Sequence, residues 1–68
     1  MHPQTHTQTV MEPEAARYIA LSCAYLRHAR AHGRGPAYIR IGRAVRYRIA
    51  DLDAYLAAHR VETRAAGR

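Results

Sequence analysis

The chain has no lysine, no phenylalanine and no tryptophan, and it carries a single cysteine. One cysteine cannot close an internal disulfide, which fits a reducing compartment. No stretch approaches the roughly 18 uninterrupted apolar residues of a membrane-spanning helix, so insertion into a bilayer is not expected. The first residues lack the basic-then-apolar order of a secretory signal, so a cytoplasmic location is expected. At 68 residues there is room for one small domain. A chain of this size buries only about 60% of its unfolded surface, which leaves no space for a substrate cleft beside a core. A stand-alone enzyme is therefore not expected. Five tyrosines are the only large aromatic side chains, and many alanines inflate the hydrophobic fraction of 49%.

Acidic residues are also scarce, and their placement is uneven. All 11 basic residues are arginine, against five acids, for a net charge of +6 with histidine neutral. Residues 1–24 set Arg17 against Glu12 and Glu14. Residues 49–68 balance Arg60, Arg64 and Arg68 against Asp51, Asp53 and Glu62. Between them, residues 25–48 hold Arg27, Arg30, Arg34, Arg40, Arg43, Arg46 and Arg48 with no acid, a net +7. Such a segment repels itself unless a polyanion is its partner. The planar guanidinium fork matches phosphates and guanine edges. GC-rich coding accounts for missing lysine, but not for acids absent from the middle third alone. Nucleic acid is the expected partner, ahead of a membrane surface or an acidic protein.

Along the chain, residues 1–9 are polar, without apolar periodicity, and read as a disordered arm. Residues 10–60 read as one domain and 61–68 as a flexible tail. Glu12-Pro13-Glu14 opens a first helix, since proline loses nothing at the first helical position and acids suit the positive dipole end. This helix runs about two turns, through Ile19. Ser22 then supplies a new N-cap for a helix from Cys23 to about His32, which Gly33 ends. Two short helices so close together read as a helix-turn-helix.

Gly33-Arg34-Gly35-Pro36 breaks the helical pattern, and Tyr38 to Ile49 alternates with the β period around Gly42-Arg43. A two-residue loop would set Arg40 opposite Val45 and Ile39 opposite Arg46, mixing apolar and charged groups. A three-residue loop, Gly42-Arg43-Ala44, gathers Ile39, Ile41, Val45, Tyr47 and Ile49 on one face. It leaves Tyr38, Arg40, Arg46 and Arg48 on the other. The three-residue loop is therefore expected, even though alanine stands where such loops favour glycine. A last helix from about Asp51 to His59 places Leu52, Tyr55 and Leu56 on one stripe. The expected core is Ala16, Ile19, Leu21, Leu26, Ile39, Ile41, Val45, Tyr47, Leu52, Tyr55 and Leu56. A lone hairpin is not stable in water, so its apolar face must pack on the helices.

The string EPEAARYIALSCAYL, followed by GPAYIRIGRAVRYRIADLDAYLAAHR, resembles the MerR-like excisionase group of winged helix-turn-helix proteins. That group includes AlpA-type regulators of phages and mobile elements. The resemblance covers about residues 10–60. It is most specific from Tyr38 to Leu56, where IGR, a Tyr-x-x-x-Asp-Leu step and AYL fall at the family's spacing. It implies an α+β winged helix-turn-helix fold, ordered helix, helix, two-stranded hairpin wing, helix. It implies that the second helix enters the major groove while the wing lies along phosphate or minor groove. The function so implied is that of a recombination directionality factor (excisionase) favouring excision by a phage or element integrase. Transcription regulation at a promoter is the alternative, and a protein-interaction module a second one. Ala20 departs from the family, which often has glycine or asparagine there, and Cys23-Ala24 is smaller and less polar than the usual start of the recognition helix.

On that scheme the expected DNA-binding residues of the second helix are Ser22, Ala24, Tyr25, Arg27, His28 and Arg30. Arg27 is suited to a bidentate contact with guanine. His28 suits phosphate or base, and Tyr25 suits phosphate or packing under the wing. Ser22 serves first as a cap. Arg30 lies beside the core stripe. In the wing, Arg43 at the tip can reach a minor groove, and Arg40, Arg46 and Arg48 suit phosphates. A single module of this size reads few base pairs, so self-association on double-stranded DNA is expected, with an integrase as a possible further partner. No cofactor is expected. His28 and His32 sit one turn apart, but Cys23 is on another face and a zinc site needs three or four ligands.

Overall fold

The computed structural model describes residues 8–62. Met11 is the N-cap of α1 (Glu12–Tyr18), with Pro13 in its first turn and Glu12 and Glu14 at the positive end of the dipole. The helix ends in a Schellman motif: Leu21 N–H donates to the Ala16 carbonyl at 2.9 Å and Ala20 N–H to the Arg17 carbonyl at 3.1 Å. The left-handed position of that motif is Ala20, with φ of 61°. The next helix, α2 (Cys23–Ala31), is capped by Ser22, whose Oγ accepts from Tyr25 N–H at 3.0 Å. It ends in a second Schellman motif, Arg34 N–H to the Ala29 carbonyl at 2.7 Å and Gly33 N–H to that of Arg30 at 3.1 Å. Here glycine holds the left-handed position, at φ 70°.

The sheet contains β1 (Thr9–Val10), β2 (Ile39–Ile41) and β3 (Ala44–Arg48), antiparallel in the order β1-β3-β2. From β3 the chain passes directly into α3 (Ile49–Ala58), which begins two residues before the expected Asp51. Among the described residues the fold is α+β, three helices on a three-stranded sheet, a layout compatible with a winged helix-turn-helix. No helix among the described residues is long and apolar enough to cross a membrane.

Three expectations are corrected. The two-stranded wing has a third strand: Thr9 pairs with Arg48, Val10 with Tyr47, and Ile49 N–H donates to the Gln8 carbonyl at 3.0 Å. Thr9 thus belongs to the sheet, with Gln8 hydrogen-bonded beside it, and not to an arm, whose other residues, 1–7, lie outside the described residues. A two-residue polar overlap has too little periodicity to reveal a strand. Of the expected tail, Val61 and Glu62 are described, in neither helix nor strand, and 63–68 lie outside.

The second correction is the hairpin register. Ile41 pairs with Ala44, Arg40 with Val45 and Ile39 with Arg46, so the loop is Gly42-Arg43 and not Gly42-Arg43-Ala44. Gly42 has φ of 60° and Arg43 does not have a positive φ. Glycine first is the type II′ pattern, whose twist suits a hairpin. A three-residue loop would need its last residue, Ala44, in the left-handed region. Turn chemistry therefore outweighs apolar pairing, and β2 presents the opposite face from the one expected.

The third correction follows in the core. Val10, Ala15, Ala16, Ile19, Leu26, Ala29, Tyr47 and Leu52 are buried, with Cys23, Val45 and Ile49 packed against them. Ile41 is 67% exposed, and Leu21 and Leu56 are exposed as well. Ile39 and Tyr55 are half-buried. Tyr38, just before β2 and partly exposed, lies against Tyr47, ring centroids 6.2 Å apart.

Candidate nucleic-acid interface

On α2, Leu26 and Ala29 face the core, and Ala24, Arg27, His28 and Ala31 lie on the opposite, exposed side. Arg27 is the cation of this face. Its side chain is 60% exposed, with Nη1 3.9 Å from Glu12 Oε1. His28 stacks on His32, centroids 4.2 Å apart, and His32 Nδ1 bonds the His28 carbonyl at 2.9 Å. Among the described residues no three His, Cys, Asp or Glu side chains gather as metal ligands would.

Arg30 is held inside the fold. Its side chain is only 18% exposed and its Nη1 donates to Glu12 Oε2. The same nitrogen donates to the Tyr47 hydroxyl at 3.0 Å, and the guanidinium lies 5.6 Å over the Tyr38 ring. Tyr47 in turn donates to Glu12 Oε2 at 3.2 Å. The hydrogen bond to Glu12 holds the Arg30 pKa above its ordinary value, against an opposing desolvation. Burial raises the Tyr47 pKa. This triad ties α1, α2 and β3 together, so Arg30 is withdrawn from the face on which Arg27 and His28 stand. Position beside the core stripe was the signal for this. The partner, Glu12, is 18 residues away and gave none.

Tyr25 is likewise engaged: its hydroxyl shares a hydrogen bond with that of Tyr55, joining α2 to α3. That bond, and secondarily burial, raises the Tyr55 pKa, while the charge of Arg34 pulls it down. Ser22 is spent as the cap, with its side chain on the first turn of α2.

The hairpin divides its arginines between two faces. Arg46 and Arg48 are on the outer face with Thr9, Ile39 and Ile41. Arg40 shares the inner face with Val45 but remains exposed on the edge strand. Arg43 stands exposed in the turn. Arg46 Nη1 donates to the Val45 carbonyl at 2.9 Å, and Arg48 Nε to Asp51 Oδ2 at 3.2 Å. Arg40, Arg43 and Arg46 have no carboxylate partner among the described residues. Arg34, counted in the charge of the segment but given no role from sequence, sits in the loop after α2 and lines a cleft between α2 and α3.

Compared with known proteins, the chain matches no family model, no curated protein and no solved structure.

Proposed function

We propose that this protein binds double-stranded DNA, with the exposed face of α2 toward the major groove and the β2–β3 hairpin along the backbone. The observation that carries this reading is the acid-free segment 25–48. Its arginines, apart from Arg30, keep their guanidinium groups at or near the surface. Arg27 is the base-reading residue and His28 its neighbour on the same face. Arg43 reaches from the turn, and Arg40, Arg46 and Arg48 meet phosphates. The role is binding, without catalysis, in the cytoplasm where the DNA lies. Guided by the family resemblance, the task is that of an excisionase: several copies on adjacent sites organise DNA and bias an integrase toward excision. A promoter-bound regulator would use the same surface.

Equilibrium binding to duplex across a salt series tests the reading. Four arginines on phosphate give a slope of log affinity against log salt of about −3 to −4. A flat response, or no binding at low salt, would reject DNA and leave a protein-interaction module. Excision assays with and without an integrase, beside a promoter reporter, separate the two roles: a regulator changes expression with no integrase present.

A further inference from the structure

A cleft of about 370 Å³ lies between the ends of α2 and α3, lined by Tyr25, His28, Arg34, Gly35, Tyr55 and His59 as well as Ala29. That is within the size range of small-ligand sites, against the expectation that so short a chain leaves no space for a cleft beside its core. Its one formally charged group is the Arg34 guanidinium. Arg34 makes no ion pair among the described residues, and no carboxylate lines the cleft. The hydroxyls of Tyr25 and Tyr55 share one hydrogen bond, so one of their two protons is left for another acceptor. His59 Nδ1 donates to the Tyr55 carbonyl at 2.9 Å, so in the neutral ring Nε2 is an acceptor and donates only as imidazolium. The remaining wall is aromatic, with the His59 ring tilted 46° against Tyr55 at a centroid distance of 4.2 Å. Gly35 shapes the rim: a Cβ there would come 2.9 Å from Ala29 Cβ, and its φ is +89°. Only a residue without a side chain lets the loop that carries Arg34 lie this close to α2.

We infer that this cleft binds an organic phosphate bearing a planar ring, of nucleoside monophosphate size. A guanidinium and a phenol proton lining one cleft suit an anion with several acceptor oxygens, and the rings of Tyr55 and His59 suit a base. The inference rests on Arg34, which is not among the arginines assigned to the duplex, although His28 borders both surfaces. The same phosphate chemistry can come from a free nucleotide or from a nucleotide of a DNA strand.

Calorimetric titration of the full chain with adenosine monophosphate, adenosine and inorganic phosphate tests it. The monophosphate should bind with a dissociation constant below about 1 mM, and adenosine at least about tenfold more weakly. Arg34→Ala should weaken the monophosphate by a similar factor. Tyr55→Phe, which keeps the ring, should weaken it less. Arg17→Ala, an equal loss of charge elsewhere, should leave it unchanged. Unaltered thermal melts would show that the variants fold. If a saturating single-stranded oligonucleotide displaces the nucleotide, the occupant is a DNA nucleotide; if it does not, the occupant is free. No binding by about 5 mM, adenosine as tight as its monophosphate, or equal loss in Arg17→Ala and Arg34→Ala would each overturn the assignment.

Discussion

Ala20 holds a left-handed conformation, φ 61°, because the chain must reverse between α1 and the Ser22 cap within three residues. An L-residue with a Cβ is disfavoured there by roughly 1–2 kcal/mol, part of which glycine loses again through its freer unfolded chain. Ala20→Gly is expected to stabilise the fold by about 0.5–1 kcal/mol, raising the melting temperature by roughly 2–8 °C. A melt that falls would mean that the Ala20 methyl group contributes packing. Tyr47 supplies a second residue-scale test. Burial raises its pKa above the ordinary 10.0, so the unfolded chain loses this proton more readily than the folded one. Its contribution is complete below pH 10.0 and is lost as pH rises through the folded pKa. Tyr18, bonded to Asp53, and Tyr55 are shifted the same way. Stability should therefore decline on the alkaline side, and Tyr47→Phe should make that decline shallower without abolishing it. Denaturant midpoints measured across alkaline pH would show the difference.

At the scale of elements, the hairpin register decides what each side chain of β2 does. With Gly42-Arg43 as the loop, Ile41 stands on the solvent side and Val45 against the core. Ile41→Thr should then change stability by less than about 0.5 kcal/mol, and Val45→Ala should cost about 1–2 kcal/mol. Similar losses at both positions would favour the three-residue loop instead. Alternating hydrophobicity identified the hairpin but misjudged β2, because Ile39 and Ile41 weighed more in that pattern than the position of one glycine. Both helix ends before it were readable from local residues, Ser22 as a cap and Gly33 as a stop. The strand at Thr9–Val10 was not, since two residues acquire their extended form only by pairing with β3.

Over the whole molecule, seven arginines close together in sequence are sorted by their surroundings into different tasks. Arg30 is consumed by Glu12 and Tyr47 and acts as a tie between α1, α2 and β3. Arg43 has no carboxylate partner among the described residues. Arg30→Met should lower the melting temperature while leaving the salt slope of DNA binding unchanged at temperatures where the protein is folded. Arg43→Ala should leave the melt unchanged and make the slope shallower by about 1. Parallel melting curves and salt titrations separate the two. A slope lost in Arg30→Met would place that side chain on the duplex after all.

The sequence by itself determined the α+β class, the succession of two short helices, hairpin and helix, and the acid-free basic segment. These depend on periodicity, caps and local charge, each set within a few residues of chain. Only the tertiary structure decided which arginines remain outside, which face of β2 turns inward, and that Tyr25, Arg34, Tyr55 and His59 meet around one cleft. Those outcomes depend on partners distant in the chain, such as Glu12 for Arg30 and Tyr55 for Tyr25. Hydrogen bonds and packing of this kind form only when the elements dock, and no local pattern encodes them.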